Sequence, residues 1–196
     1  MKQIKGWWFG TTDKKLLHND NRKIIIGETH KINGEILPCQ HGLHLSKNII
    51  DALNYAPGPI IYRVIGSGII IPNGDPVDKY VCSERTYIAG GINISDILHL
   101  FARKCALDVI HLWNPSDIVI RYLKTGDESI RDAARDAAWD AKTKMGVVRD
   151  AAWDAAWAAT RVVARGTVWD AARVAAKGAA KMKFNKRLTS MVLRIL

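Results

Sequence analysis

Proline is scarce: the chain has six, and none follows Pro115. Everything after that point lacks the residue that breaks a helix by removing an N–H donor. Cysteine is as sparse. Cys39, Cys82 and Cys105 are too few for a disulfide framework and fit a reducing compartment, so a cytosolic setting is expected. No apolar run approaches the roughly 20 residues that cross a bilayer, which excludes a membrane-spanning helix. Met1-Lys2-Gln3-Ile4-Lys5 leads into Gly6-Trp7-Trp8 instead of an apolar stretch, so no secretory signal is read there. Acidic residues are also short, 19 against 29 Lys and Arg, for a net charge of +10. Such a surface attracts polyanions, whether nucleic acid, nucleotides or an acidic protein.

What is abundant is a four-residue unit, Arg or Trp followed by Asp-Ala-Ala. It runs from Arg131-Asp132-Ala133-Ala134 to Trp139-Asp140-Ala141, returns at Arg149-Asp150-Ala151-Ala152 and Trp153-Asp154-Ala155-Ala156, and again at Trp169-Asp170-Ala171-Ala172. Ala is the strongest helix former, so the region is expected to be helical. Four residues turn about 400°, so a period of four drifts about 40° per repeat and an Ala face can oppose one partner for only a few turns. Several short helices packed through their Ala faces are therefore expected, with a break at 142–148 and further interruptions at Gly166 or Gly178. Most of the basic excess falls after Lys142. Trp153, Trp157, Arg161 and Arg165 follow at i, i+4 and line one side of a helix. Rings and guanidinium planes so arranged either stack on bases or fill the groove between helices.

Residues 1–93 read as a strand-rich α+β domain. The expected strands are Trp7-Trp8-Phe9, Arg22 to Ile26, Thr29 to Ile32 paired through an Asn33-Gly34 turn with Glu35 to Leu37, Ile60 to Ile65 turned by Gly66-Ser67-Gly68 into Ile69 to Ile71, Tyr80 to Cys82, and Arg85 to Ile88. Ser46 is placed to N-cap a helix from Lys47 to Tyr55 that Pro57-Gly58-Pro59 ends. Residues 94–128 turn helical: Ile97, Leu98, Phe101, Leu107, Ile110 and Leu112 repeat at helical spacing, and Asn114 caps a second helix that ends near Gly126. Residues 129–196 are the Ala-rich basic helical region. The fold class is α+β, a small strand-rich N-terminal domain followed by an Ala-rich helical bundle.

Two clusters could carry other chemistry. Cys39, His41 and His44 are metal-ligand types at close spacing, but no second Cys/His pair accompanies them. Cys105, Asp108 and His111 fall at i, i+3 and i+6 of a helix, a spacing that suits a packed cysteine better than a nucleophile and base. Neither a metal nor a cofactor is assigned.

The stretch Cys39-Gln40-His41-Gly42-Leu43-His44-Leu45-Ser46, followed by Ala52, Tyr55 and the Ile60 strand, resembles the middle motif of the ADP-ribosyltransferase superfamily. That motif has a Gly, a short strand carrying a polar ring residue, a Ser, and then a β-branched strand. The resemblance implies that the His44 ring lies against the nicotinamide or ADP-ribose part of a ligand, with Ser46 and Tyr55 as neighbours. The superfamily's first motif, a His or Arg followed by Gly on the opening strand, has no match, since His18 precedes Asn19-Asp20-Asn21 and reads as a turn residue. Its third position has Glu84 and Arg85 as candidates. A chain lacking those members holds a ligand without chemistry. The chain as a whole, with Leu43-His44-Leu45-Ser46, Tyr55-Ala56-Pro57-Gly58, the helix from Cys105 to Trp113 and the repetitive tail, resembles a family of bacteriophage proteins, which implies a host-cytoplasm setting.

The expectation is a binding protein. It would hold a nucleotide-type ligand, NAD-derived or a cyclic-nucleotide immune signal, between the sheet domain and the basic helices, contacting His44, Ser46, Tyr55, Trp153, Trp157, Arg161 and Arg165, and would act as counter-defence by sequestration. An ADP-ribosyltransferase-like enzyme, and an interaction protein that binds nucleic acid, an acidic host protein or further copies of itself, remain the alternatives.

Overall fold

The computed structural model describes residues 3–18, 20–108, 110, 115–145 and 180–196, with side chains of 139–145 and 180 excepted. The chain divides into two compact units, Met1–Ile94 with Val192–Leu196, and Ser95–Met191. It is a mixed structure in which strands come first and helices follow. No described helix is long and apolar enough to cross a membrane.

The first unit is a five-stranded antiparallel sheet. Its strands are β1 (Ile4–Gly10), β2 (Thr29–Lys31), β3 (Leu43–Leu45), β4 (Ile60–Asn73) and β5 (Lys79–Asn93), with one short helix, α1 (Ile49–Leu53). β4 lies between β1 and β5, and both β2 and β3 pair with β5. Beyond β3, Ser46 exchanges both backbone hydrogen bonds with Trp7 of β1, at 2.8 and 3.0 Å. The sheet therefore curls until β3 meets β1. The curl has a visible cause: β4 and β5 slip register at Ile61/Tyr62, Arg63/Val64 and Ser67/Ile70, and bulges bend a strand and increase its twist.

Three local expectations fail for the same reason, namely that long-range pairing outcompetes a local signal. Gly66-Ser67-Gly68 is not a turn but part of β4, where Gly68 (φ +73°) sits in the Ser67/Ile70 bulge. Asn33-Gly34 does bend the chain, with Gly34 at φ +91°, yet β2 pairs with Glu84 to Thr86 and Glu35 to Leu37 supplies only an isolated bridge from Leu37 to His41. Arg22 to Ile26 contributes a single bridge, Lys15 to Lys23. Ser46 is not a helix cap either. Its backbone is engaged by Trp7, and Asn48 takes the N-cap position of α1, its side-chain amide donating to Asp51 at 2.7 Å.

In the second unit, α2 (Ser95–Asp108), α3 (Asp117–Thr125), a 3-10 turn (Glu128–Ile130) and α4 (Arg131–Met145) follow one another. Ser116 is the N-cap of α3, whereas Asn114, expected there, lies outside the described residues. Gly126 ends α3 in the left-handed conformation (φ +70°), its N–H bonded to the Tyr122 carbonyl at 2.8 Å, as helix termini favour. The repeat of α4 now has a physical reading. The second Ala of each unit, Ala134 and Ala138, is fully buried against Ala102 and Ala106 of α2 and Val119, Tyr122 and Leu123 of α3, while Ala133 is exposed. Arg135 bridges back to Asp132 at 3.2 Å on the solvent side. Where a break was expected at 142–148, the helix continues through Met145, and 146–148 lie outside the described residues. A last helix, α5 (Ala180–Leu193), presents Phe184 edge-on to Phe101 of α2 at 6.1 Å. Asp108 of α2 accepts from both terminal nitrogens of Arg187, at 2.8 and 3.1 Å, and pairs with Lys183 at 3.0 Å.

Candidate functional site

A cavity of about 400 Å³ opens in the first unit, within the usual range of small-molecule pockets. The ladder explains which side chains reach it. Residues paired across antiparallel strands share a face, and a strand changes face at every residue. Arg85 and Tyr87 therefore share one face of β5, but Tyr80 and Cys82 pack in the same core as Tyr87, so the alternation shifts between Cys82 and Arg85 and leaves Lys79 and Val81 on the other face. His30 is paired with Arg85 and joins its face, whereas His44, paired with Val81, lies on the face of Ser46 and Trp7. Trp8 pairs with Tyr62, and its ring meets those of Tyr62 at 5.4 Å and Tyr87 at 6.0 Å. Of these, Trp8, His44, Lys79 and Arg85 line the cavity. Gly42, just before β3, packs closely on Val81: at φ +143° it adopts a conformation that L residues avoid, and a Cβ there would collide with the Val81 side chain.

Arg85 is the centre of the wall, a guanidinium only 2% exposed. Its carbon lies 4.0 Å from the Trp8 ring centroid and 5.1 Å from that of Tyr87. Nη1 donates to the His44 carbonyl at 2.6 Å, while Nε and Nη2 both donate to the Tyr87 hydroxyl, at 3.2 and 2.8 Å. With both lone pairs of that hydroxyl occupied, its own proton must go to His30 Nδ1, 3.0 Å away. His30 is thus fixed as a neutral ring with Nδ1 accepting. In keeping with this, burial foremost, and then the Arg22 and Arg85 charges, hold its pKa below the ordinary value. A guanidinium has five N–H donors, and these bonds occupy three. One proton on each terminal nitrogen remains, and among the described residues no carboxylate lies within 4.0 Å of Arg85. Buried charges are ordinarily paired. This one is held by aromatic faces and neutral acceptors.

Lys79, 9% exposed, repeats the pattern further along β5. Its ammonium stands 4.1 Å from the Tyr55 ring centroid and 3.1 Å from Cys39 Sγ, and Tyr55 in turn donates to Asp78 at 2.7 Å. His44 lies between the two cations along the wall. Its Nε2 is buried without a hydrogen-bond partner. Burial, then the charges of Lys79, Arg85 and His18, bring its pKa down to about 4, so the ring is neutral near pH 7. Among the described lining residues the one carboxylate, Asp20, is occupied by Arg22, whose Nε and Nη2 both reach it at 2.6 Å.

His44, Ser46 and Tyr55, read from sequence as ligand neighbours, all line this cavity. His18 lines it too, in a turn with φ +61°. Trp153, Trp157, Arg161 and Arg165 lie outside the described residues. Of the two candidates on the late strand, Arg85 faces the cavity, whereas Glu84, one residue away, bonds Lys31 and Ser67 on the opposite face. Cys39, His41 and His44 diverge: His41 Nδ1 meets the Glu35 carbonyl at 2.7 Å and Cys39 meets Lys79. Among the described residues no group of His, Cys, Asp or Glu is arranged to hold a metal ion. Cys105 is a core residue, 1% exposed, with burial raising its thiol to about 12. His111 lies outside the described residues.

No protein-family model, curated protein or solved structure matches the chain. The reading of the site therefore rests on its own geometry.

Sequence reasoning missed Trp8 and Lys79 and named Arg85 only by analogy. A signal for the cations was present: Lys79 alternates with Val81, and Arg85 with Tyr87, at strand spacing. Cations on an apolar strand face call for a partner.

Proposed function

We propose that the cavity of the first unit binds an anionic, ring-containing small molecule of the nucleotide class, and that the protein binds its ligand without turning it over. The observation that carries this reading is Arg85: a buried guanidinium resting on the Trp8 ring and bonded to the Tyr87 hydroxyl, with two unused donors and no carboxylate partner among the described residues, in the wall of a ligand-sized cavity. An anion docking there gains charge-assisted hydrogen bonds in a desolvated setting, where such bonds are stronger than neutral ones. Lys79 adds a second cation and His44 an unpartnered ring nitrogen. The rings of Trp7, Trp8 and Tyr55 among the lining residues offer faces and edges to a planar base. The case for binding without turnover is that Glu84 points away and Asp20 is held by Arg22, so that among the described lining residues no free carboxylate stands ready to act as base or nucleophile. In a bacteriophage setting such a protein would act by sequestering a nucleotide signal.

The test is titration of the full chain with mononucleotides, cyclic nucleotides, ADP-ribose and the matching neutral nucleosides, followed by calorimetry and by tryptophan fluorescence, since Trp7 and Trp8 both line the cavity. Saturable binding of at least one anionic member, accompanied by a fluorescence change and weakened at least tenfold in its nucleoside, is expected. A folded protein that binds none of them overturns the reading.

A further inference from the structure

We propose that the ligand carries two separated anionic groups, one held at Arg85 and the other at Lys79, as in a nucleoside bisphosphate with phosphates at both ends. This rests on the nucleotide reading above and narrows it to a class. Both cations line one cavity and stand six residues apart on β5. Between them the strand pairs with β3 at Tyr80 to Cys82 and with β2 at Glu84 to Thr86. Six residues of antiparallel strand at about 3.4 Å each set the two Cα atoms about 20 Å apart along the strand. Each charged head is tethered to its own partners, Arg85 to the Tyr87 hydroxyl and the His44 carbonyl and Lys79 to Cys39 over the Tyr55 ring, so the two present separate anchoring points.

The two cations are alike in a way that a structural role does not require. Each is nine-tenths or more buried, each rests on an aromatic face, and each has only neutral hydrogen-bond acceptors. A buried ammonium or guanidinium without a counter-ion is costly to keep desolvated. A monoanion bound at one end leaves the other cation as it was, whereas a ligand anionic at both ends compensates both. His44, paired with Val81 in the stretch between them, feels both charges, so the space is electrically continuous from one cation to the other. Its unpartnered Nε2 is placed to meet a hydroxyl or ring nitrogen in the middle of such a ligand.

The experiment is calorimetric titration of the full chain with four adenine probes: adenosine, adenosine 5′-monophosphate, adenosine 3′,5′-cyclic monophosphate and adenosine 3′,5′-bisphosphate. The bisphosphate is expected to bind at least tenfold tighter than either monophosphate. In Lys79→Met that advantage should shrink to within about twofold, while Lys79→Arg, which keeps the charge, should retain it; circular dichroism establishes that each variant folds. If a monophosphate binds and the bisphosphate binds no tighter, the two-anion assignment is wrong and the nucleotide reading stands. An advantage that survives in a folded Lys79→Met also overturns the assignment of Lys79. Should Lys79→Met not fold, the wild-type ranking still decides the two-anion claim and Lys79→Gln replaces it for the Lys79 test. If no adenine probe binds, the assignment fails, and whether the broader reading fails with it is read from the wider panel above.

Discussion

Arg85 and Tyr87 sit two residues apart on one face of β5, and the tyrosine hydroxyl accepts from both Nε and Nη2 of the arginine at 3.2 and 2.8 Å while lying 3.0 Å from His30 Nδ1. That single oxygen fixes the orientation of the guanidinium. Tyr87→Phe keeps the ring and its packing but leaves two charged donors and a ring nitrogen without partners. An orphaned buried donor costs about 1–3 kcal/mol, more when charged, so a loss of at least about 2 kcal/mol in urea unfolding is expected. Ligand affinity should fall at the same time, because Arg85 is free to rotate. A change below about 0.5 kcal/mol, within the ordinary range for surface substitutions, would show that Tyr87 is not the anchor.

His44 should make stability depend on acid. Its folded pKa of about 4 lies below the ordinary histidine value of 6.5, so between those two values the unfolded chain binds a proton that the folded chain does not. Stability from this group is complete above about pH 6.5 and is lost as pH falls toward about 4. His30 and His99 are shifted the same way by burial, so the wild-type slope is a sum. The share of His44 is isolated by His44→Gln, whose melting temperature should fall less steeply over that window. Parallel curves for variant and wild type would mean that His44 is not buried as a neutral ring.

In α4 the register of the repeat separates alanines that touch from alanines that do not. Ala134 and Ala138 have no exposed surface and meet α2 and α3, whereas Ala133 faces solvent. Ala134→Leu should destabilise by about 1–3 kcal/mol through overpacking, and Ala133→Leu by less than about 0.5 kcal/mol, as surface changes usually do. Equal effects in thermal unfolding would break the assignment of faces.

How far the sequence reached depended on the range of the interaction behind each element. Period and capping alone located β1, the start of β4 and the helices from Ser95 and toward Gly126, because apolar spacing and a terminal glycine act within a few residues. His44, Ser46 and Tyr55 line one cavity because they sit on one short segment of chain around β3 and α1. Elements set by partners far along the chain were not legible. The Asn33-Gly34 signal was a real bend, but the strand before it pairs with residues 84–86, and nothing within the local window says so. The same holds for Arg85: a buried arginine looks like any exposed one until the ladder brings His44, Trp8 and Tyr87 around it.

The ADP-ribosyltransferase resemblance and the binding reading part company at Glu84. A transferase of that kind needs its late-strand acid or base at the ligand, but Glu84 is turned to the face opposite the cavity, 3.0 Å from Lys31 and 3.1 Å from the Ser67 hydroxyl, and those bonds hold its carboxyl below the usual range. Arg85, which does face inward, offers hydrogen-bond donors and no acceptor, and His44, with a pKa of about 4, is a weak base at neutrality. Purified protein incubated with NAD and a range of acceptors should therefore release no nicotinamide above the uncatalysed rate, measured by chromatography over many protein equivalents. Glu84→Gln should leave that result unchanged. Sustained release that disappears in His44→Ala would replace the binding reading with a transferase, and it would require the carboxylate to come from a residue other than Glu84.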